Sequence, residues 1–321
     1  IDFWCKGGSL CEMKDEEGMA HFLEHMFFKG AKHYKNTKEV SEAIDGVGGE
    51  FNAFTAKEYA GYYVKVAKEH VETSMNVLSD MMLNATFEKH EIEKERGVIL
   101  EEYNMYQDTP MYQASWDFEK HLFGDHPMGR DQIGTKELIN TVTQEQFFDF
   151  QKKLYTPDNT VICLVGDFES KEGFELLEKY FQFPDTKKHL KFEPLKLNKN
   201  KPEIHVVHKQ TEQAHLVIGF PSINNQDPRK WTAKLLATTL GGNMSSRMFL
   251  NIREAKGLCY YIHTDCDLFS DCGSFSTRAG VDTTRAQDAI TAIEHEYKQA
   301  RENGITQKEL DKSKAYLLGK M

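Results

Sequence analysis

Two imidazoles and a carboxylate fall within one short stretch, GMAHFLEHMFFKG, as His21, Glu24 and His25. Met19, Phe22, Leu23, Met26 and Phe27 follow the i, i+3, i+4, i+7 spacing of a core-facing helix stripe, and Gly30 is placed to end that helix. His21 and His25 are one turn apart, so their rings stack along one flank and can reach a single metal ion. Glu24 stands one position before the second ring and is a candidate general base on a water activated there. A hydrolytic zinc site wants three protein ligands and an open position, so a third ligand is required elsewhere.

Residues 88–107, EKHEIEKERGVILEEYNMYQ, supply it. Ile92, Glu95, Ile99, Glu102 and Tyr106 step by three and four, which places both glutamates on the apolar face of a helix. Glu101 groups instead with Lys94 on a face that reads as solvated. A carboxylate facing a core costs several kcal/mol (on the order of 2–7) unless it is paired or bound to a cation. Glu102 is therefore the third-ligand candidate, and Glu95, two turns earlier, is an acid beside the ligands or facing substrate.

HFLEH followed at a distance by ERGVILEE resembles the inverted zinc motif, H-x-x-E-H, of the pitrilysin-like (M16) zinc metallopeptidases, and within them the mitochondrial processing peptidase and bacterial short-chain group. The resemblance implies one Zn2+ per chain held by His21, His25 and Glu102, with Glu24 as base and Glu95 in the site. It also implies that an extended peptide lies along a strand edge at Asn52 and Ala53, gripped through main-chain groups. Further on, NIREAKGLCYYIHT matches Arg253 and Tyr260 to a pair that the family uses on substrate and on the developing oxyanion. Cys259 stands where relatives usually carry alanine.

The chain that must position these groups has 321 residues, enough for two domains. With 40% hydrophobic residues and a mean hydropathy of −0.59 it reads as globular, and no apolar run approaches the roughly twenty residues of a membrane span. A net charge of −10 argues against nucleic acid, which needs a basic face. Six cysteines form no C-x-x-C pair, which points to a reducing compartment, the cytoplasm; a Cys266–Cys272 link across a hairpin is a minor option. The chain opens inside a strand without an initiator Met and stops at Met321 within an apolar helix that lacks a capping signal, so a fragment is expected and any signal or transit peptide lies outside it.

Along the chain the patterns predict a strand at 1–6, the histidine helix, a helix at 37–47, two strands around a turn in EFNAFTAKEYAGYYVKVA, and helices at 68–83, 88–107 and 111–123. A turn-rich loop follows at 124–134, where His126 is structural. Thr143 and Gln146 form a capping box, 160–165 is a short buried strand, and 171–181 is helical. Residues 183–202 lose periodicity and collect lysine and proline, as a linker does. The pattern then returns: Ser9 and Ser222 close similar strands, and Gly61 and Gly273 each open a run followed by a helix, at nearly the same offset, which suggests a duplicated domain. The second copy reads AKLLA at 233–237 and carries no counterpart of H-x-x-E-H.

The expected fold is α+β, with two similar domains of antiparallel sheet covered by helices. Residues 1–182 form the zinc domain, 183–202 the linker, and 203–321 the second domain. The expected function is zinc-dependent cleavage of peptides or unfolded segments inside a closed chamber. A chain of this length makes that chamber by pairing, as a homodimer or as a heterodimer with a related chain. The alternative is a non-catalytic partner or scaffold subunit, and members of that kind typically lose the metal motif.

Overall fold

A computed structural model describes residues 1–184, 192, 194–196 and 202–320; most of the expected linker lies outside the described residues. The chain divides into two compact units, one of Ile1–Met105 with Asp125–Glu193 and the other of Tyr106–Gly124 with Pro194–Met321.

The first unit contains β1 (Asp2–Cys5), α1 (Met19–Phe27), α2 (Thr37–Asp45), β2 (Glu50–Thr55), β3 (Ala60–Lys65), α3 (Val71–Asn84) and most of α4 (Lys89–Gln107). After α5 (Pro110–Phe123), which belongs to the second unit, it resumes with α6 (Lys136–Thr141), α7 (Gln144–Leu154), β4 (Thr160–Cys163) and α8 (Ser170–Tyr180). The strands make one antiparallel sheet in the order β2-β3-β1-β4. Period-two alternation sends Phe3, Cys5, Tyr62 and Val64 inward, where they meet α1 and its neighbours. The apolar stripe of α1 is that core's centre: Met19, Phe22, Leu23, Met26 and Phe27 are 0–1% exposed. At about 1.5–3 kcal/mol for each large apolar side chain fully buried, this face fixes the roll of the helix and hence the direction of His21 and His25.

The 160–165 run is a shorter and more exposed strand than its composition predicts. β4 is an edge strand, with Val161 on its solvent side 61% exposed and Val165 beyond its end. A valine-rich run records β propensity, whereas burial depends on what covers the sheet. The capping box on α7 is present, and His126 serves the loop as a helix cap, its Nδ1 accepting from the Met128 N–H at 3.2 Å.

The second unit holds α5, β5 (Gln213–Ser222), α9 (Lys230–Gly241), β6 (Cys259–Leu268), β7 (Gly273–Asp282), α10 (Ala286–Asn303) and α11 (Gln307–Leu318). Its antiparallel sheet runs β5-β7-β6. The stretch 106–124, which the sequence places in the first domain, groups here because Phe118 of α5 stands over Gly219 of β5, where a Cβ would come within 2.8 Å of the ring. The final helix stops at Leu318 with Gly319 as its C-cap, a terminator the sequence pattern did not reveal. Cys266 pairs in register with Phe275, and among the described residues no disulfide joins any of the cysteines.

Duplication is visible in topology. In each unit the first strand (β1, β5) pairs with the third (β3, β7), which pairs on its other side with the second (β2, β6). Helix α9, containing AKLLA, follows β5 as α1 follows β1 and packs against β6 as α1 packs against β2. No helix among the described residues is long and apolar enough to cross a membrane.

Candidate metal centre

Helix α1 has no side-chain cap of its own, because Gly18 at its N-cap is held at φ 99°. A Cβ there would lie 2.7 Å from both the Gly134 Cα and the Ile133 carbonyl oxygen, so only glycine lets the 125–134 loop close on the helix start. The cap comes from Glu12. Its carboxylate accepts from the Gly18 N–H at 3.0 Å and the Ala20 N–H at 2.9 Å. Burial pushes the Glu12 carboxyl up to about 7 despite these donors. Arg130 donates to the Glu12 carbonyl oxygen and pairs with Glu17, locking the same corner.

From this helix His21 and His25 present their rings at a centroid separation of 4.7 Å. Helix α4 brings Glu102 to them: its Oε2 lies 3.6 Å from Nε2 of His21 and 3.6 Å from Nε2 of His25. Each distance is too long for a hydrogen bond. Donor atoms about 2.0–2.1 Å from a tetrahedral ion are about 3.3–3.4 Å apart, so the three atoms suit a shared Zn2+ better than each other. The three ligand atoms lie within 4.8 Å of one another and form the one such group of histidines, cysteines and acids among the described residues. Two nitrogens and one carboxylate oxygen match the donor set of hydrolytic zinc. Glu101 is exposed, as the helix register predicts, whereas Glu95 is 4% exposed.

Glu95 does not join the donor set. Its Oε1 accepts from Nδ1 of His25 at 2.8 Å, which turns Nε2 of that ring toward Glu102. Its Oε2 is paired with Lys29 at 2.6 Å. Burial would raise the Glu95 carboxyl, but the bonds from His25 and Lys29 outweigh it and hold the group below the usual range. For His25, burial works against the charged ring, and Glu95, then the charges of Glu102 and Glu24, overcome it and raise its pKa. His21 lies deeper: burial, and then the neighbouring His25, push it down to about 3. A ring that stays neutral is what a metal ligand must be. Its Nδ1 is buried and has no hydrogen-bond partner among the described residues.

Glu24 is raised, first by burial, with the charge of Glu102 adding; a bond from Thr55 and the nearby His25 offset part of this. Thr55 Oγ1 donates to Glu24 Oε2 at 2.5 Å. Thr55 ends β2, the edge strand of its sheet. The Ala56 N–H bonds the Tyr59 carbonyl, so by antiparallel alternation the main-chain groups of residues 50, 52 and 54 point to β3 and those of 51, 53 and 55 to the open edge. Ala53 thus offers its main chain outward, although its N–H is taken by Asn52 Oδ1 at 2.9 Å. Asn52 itself is a ladder residue whose side chain guards that edge.

Arg253 and Tyr260 lie in the second unit. Arg253 belongs to a π-helical turn, Phe249–Glu254, with its guanidinium over the Phe249 ring at 4.6 Å and its Nε donating to the Tyr260 carbonyl at 2.8 Å. That bond ties the two residues together and leaves the Tyr260 side chain 75% exposed. Lys29, Thr55 and Glu12 escaped the sequence reading. Lys29 had a usable signal, since it continues the His21, His25 flank by one more turn.

A sheet-and-helix unit with an inverted histidine-glutamate motif, followed by a unit whose three strands repeat the pairing of its first three without that motif, defines a two-domain zinc peptidase fold. The chain belongs to peptidase family M16: residues 1–136 match the domain described as Insulinase (Peptidase family M16), and residues 141–317 match the Peptidase M16 inactive domain. It is 35% identical to the uncharacterized zinc protease YmxG of Bacillus subtilis, across 100% of this chain and 78% of that one. A protease from Helicobacter pylori superposes with a TM-score of 0.94 at 25% identity, covering 99% of this chain and 78% of that one. The peptidase M16 inactive domain from Pseudomonas fluorescens shares the fold, with a TM-score of 0.92 at 22% identity, covering 100% and 78%.

Proposed function

We propose that this chain is a zinc endopeptidase acting on extended or unfolded peptide segments, with one Zn2+ held by His21, His25 and Glu102. The carrying observation is the placement of Glu102 Oε2 at 3.6 Å from both imidazole Nε2 atoms, with Glu24 on the same helix as those rings. Zinc, when bound, supplies a Lewis acid for the peptide carbonyl and an acidified water. The rest falls to the chain's own residues. Glu24, held at Oε2, accepts the proton of the attacking water at Oε1 and delivers it to the departing nitrogen. The open-edge main-chain groups of Phe51, Ala53 and Thr55 grip an extended peptide as an added strand, which makes little demand on its sequence. Pairing there requires Asn52 Oδ1 to release the Ala53 N–H. Arg253 and Tyr260 are assigned to steadying the peptide and the oxygen that gains charge.

We take the active form to be a pair of chains, identical or related, enclosing a chamber in the cytoplasm. A scaffold or partner role is disfavoured by the intact donor set. Metal analysis and cleavage of an unstructured peptide, run beside Glu24→Gln, test the reading. The variant should hold zinc as wild type does and lose about a hundredfold or more in rate, the usual weight of a general base. A variant keeping more than about a tenth of the rate removes Glu24 as base, and wild type that binds zinc yet cleaves nothing returns the chain to a partner role.

A further inference from the structure

The strand that offers its edge to a peptide also touches the base. Thr55 has its main-chain N–H and carbonyl directed to the open edge of β2, while its hydroxyl occupies Glu24 Oε2. One residue therefore faces both the peptide-pairing edge and the proton acceptor. Glu24 lies in the field of two charged neighbours, His25, which attracts its carboxylate, and Glu102, which repels it. A carboxylate turns easily about its last torsion, which is broad and roughly two-fold. The hydroxyl of Thr55 removes that freedom. It assigns Oε2 to a fixed donor and leaves Oε1 as the acceptor.

We infer that Thr55 is a positioning residue that couples peptide engagement on the β2 edge to the orientation of Glu24. An extended peptide adding to that edge fixes the Thr55 backbone, and the fixed backbone holds the hydroxyl on Glu24. Binding energy gathered along the strand is in this way expressed in the chemical step, so its loss lowers kcat and leaves KM in place. The inference rests on the peptidase reading above.

Thr55→Val keeps the β-branched shape and deletes the hydroxyl, whereas Thr55→Ser keeps the hydroxyl. The expected result for Val is unchanged zinc content, unchanged KM and kcat about ten- to a hundredfold lower, the size of one hydrogen bond to a charged group. Ser should return kcat to within about threefold of wild type, since the donor is restored. Placed on Glu24→Gln, Thr55→Val should change the residual rate less than about twofold, because the two residues act through one contact. A Val variant that turns over like wild type overturns the inference, as does a Val variant whose KM rises at constant kcat, or a full Thr55→Val loss on top of Glu24→Gln. Should Val lose zinc, the Ser and Ala variants carry the same comparison. Wild type that binds zinc and cleaves no peptide removes both the peptidase reading and this coupling; wild type that cleaves while Val matches it removes the coupling alone.

Discussion

Glu12 should make the metal-free chain less stable as pH rises toward neutrality, and Glu12→Gln should abolish that slope. The carboxyl is wholly buried, and its pKa stands at about 7 against an ordinary 4.5. Below the ordinary value the group is protonated in both folded and unfolded chains and its shift has no effect. Between the two values the unfolded chain has lost the proton while the folded chain keeps it, so folding weakens as pH rises. At about 1.4 kcal/mol for each unit, the window amounts to about 3 kcal/mol, fully expressed above pH 7. Glutamine cannot titrate. Its one carbonyl oxygen can serve only one of the two amide donors now bound at 3.0 and 2.9 Å, a pH-independent cost of about 1–3 kcal/mol. Urea unfolding of both metal-free chains, at pH about 4.5 and about 7.5, isolates the effect, because the shifted groups of the metal centre are common to both. Wild type minus variant should fall by about 3 kcal/mol between the two pH values; a difference that moves by less than about 1 kcal/mol refutes the argument.

Glu102→Gln should weaken zinc binding at least about tenfold more than Glu101→Gln in a competitive chelator titration, since only Glu102 reaches both rings. Equal effects would mean the α4 register does not govern the site. If paired chains share sites, mixing a Glu24→Gln chain with an Arg253→Ala, Tyr260→Phe chain should regenerate activity in mixed dimers; verified exchange without activity places the arginine and tyrosine in the same chain as the zinc they serve, or outside catalysis.

Helical periodicity made the candidate metal centre legible. His21 and His25 share a flank because they are four apart, and Glu102 was separated from Glu101 by the three-four rhythm of Ile92, Glu95 and Ile99. These are local regularities, and a helix converts them directly into geometry. Thr55 and Glu12 carry no such rhythm. Thr55 reaches Glu24 across 31 residues of chain that include α2, and Glu12 caps α1 from a loop rather than from the N-cap position. The allegiance of α5 was hidden for a related reason: its pattern announces a helix, but Gly219, over which Phe118 stands, lies on a strand about a hundred residues later. The repeat in the second unit was readable from the Gly61 and Gly273 offset, although Ser9 lies beyond the end of β1 at Cys5 rather than closing it; the π-helical turn carrying Arg253 was not readable, since nothing in FLNIRE distinguishes it from an ordinary helical turn.

The turn between β2 and β3 has a bearing on how this family can vary. Only Lys57 and Glu58 separate Ala56 from Tyr59, and both are moored: the Lys57 carbonyl accepts from Leu10, the Glu58 carbonyl from Gly7, and the Lys57 ammonium reaches the Arg130 carbonyl. Surface loops ordinarily absorb extra residues at little cost. Here an insertion that slipped β2 by one position would turn every side chain of that strand to the opposite face. The Thr55 hydroxyl would leave Glu24, Phe51 would leave the Phe28 ring that it now packs against at 5.8 Å, and the main-chain groups now on the open edge would be exchanged for those in the ladder. On the proposed reading, catalytic competence is written partly in a count of residues, at a turn outside the groups assigned to the reaction, and a sequence could lose it there with its H-x-x-E-H intact.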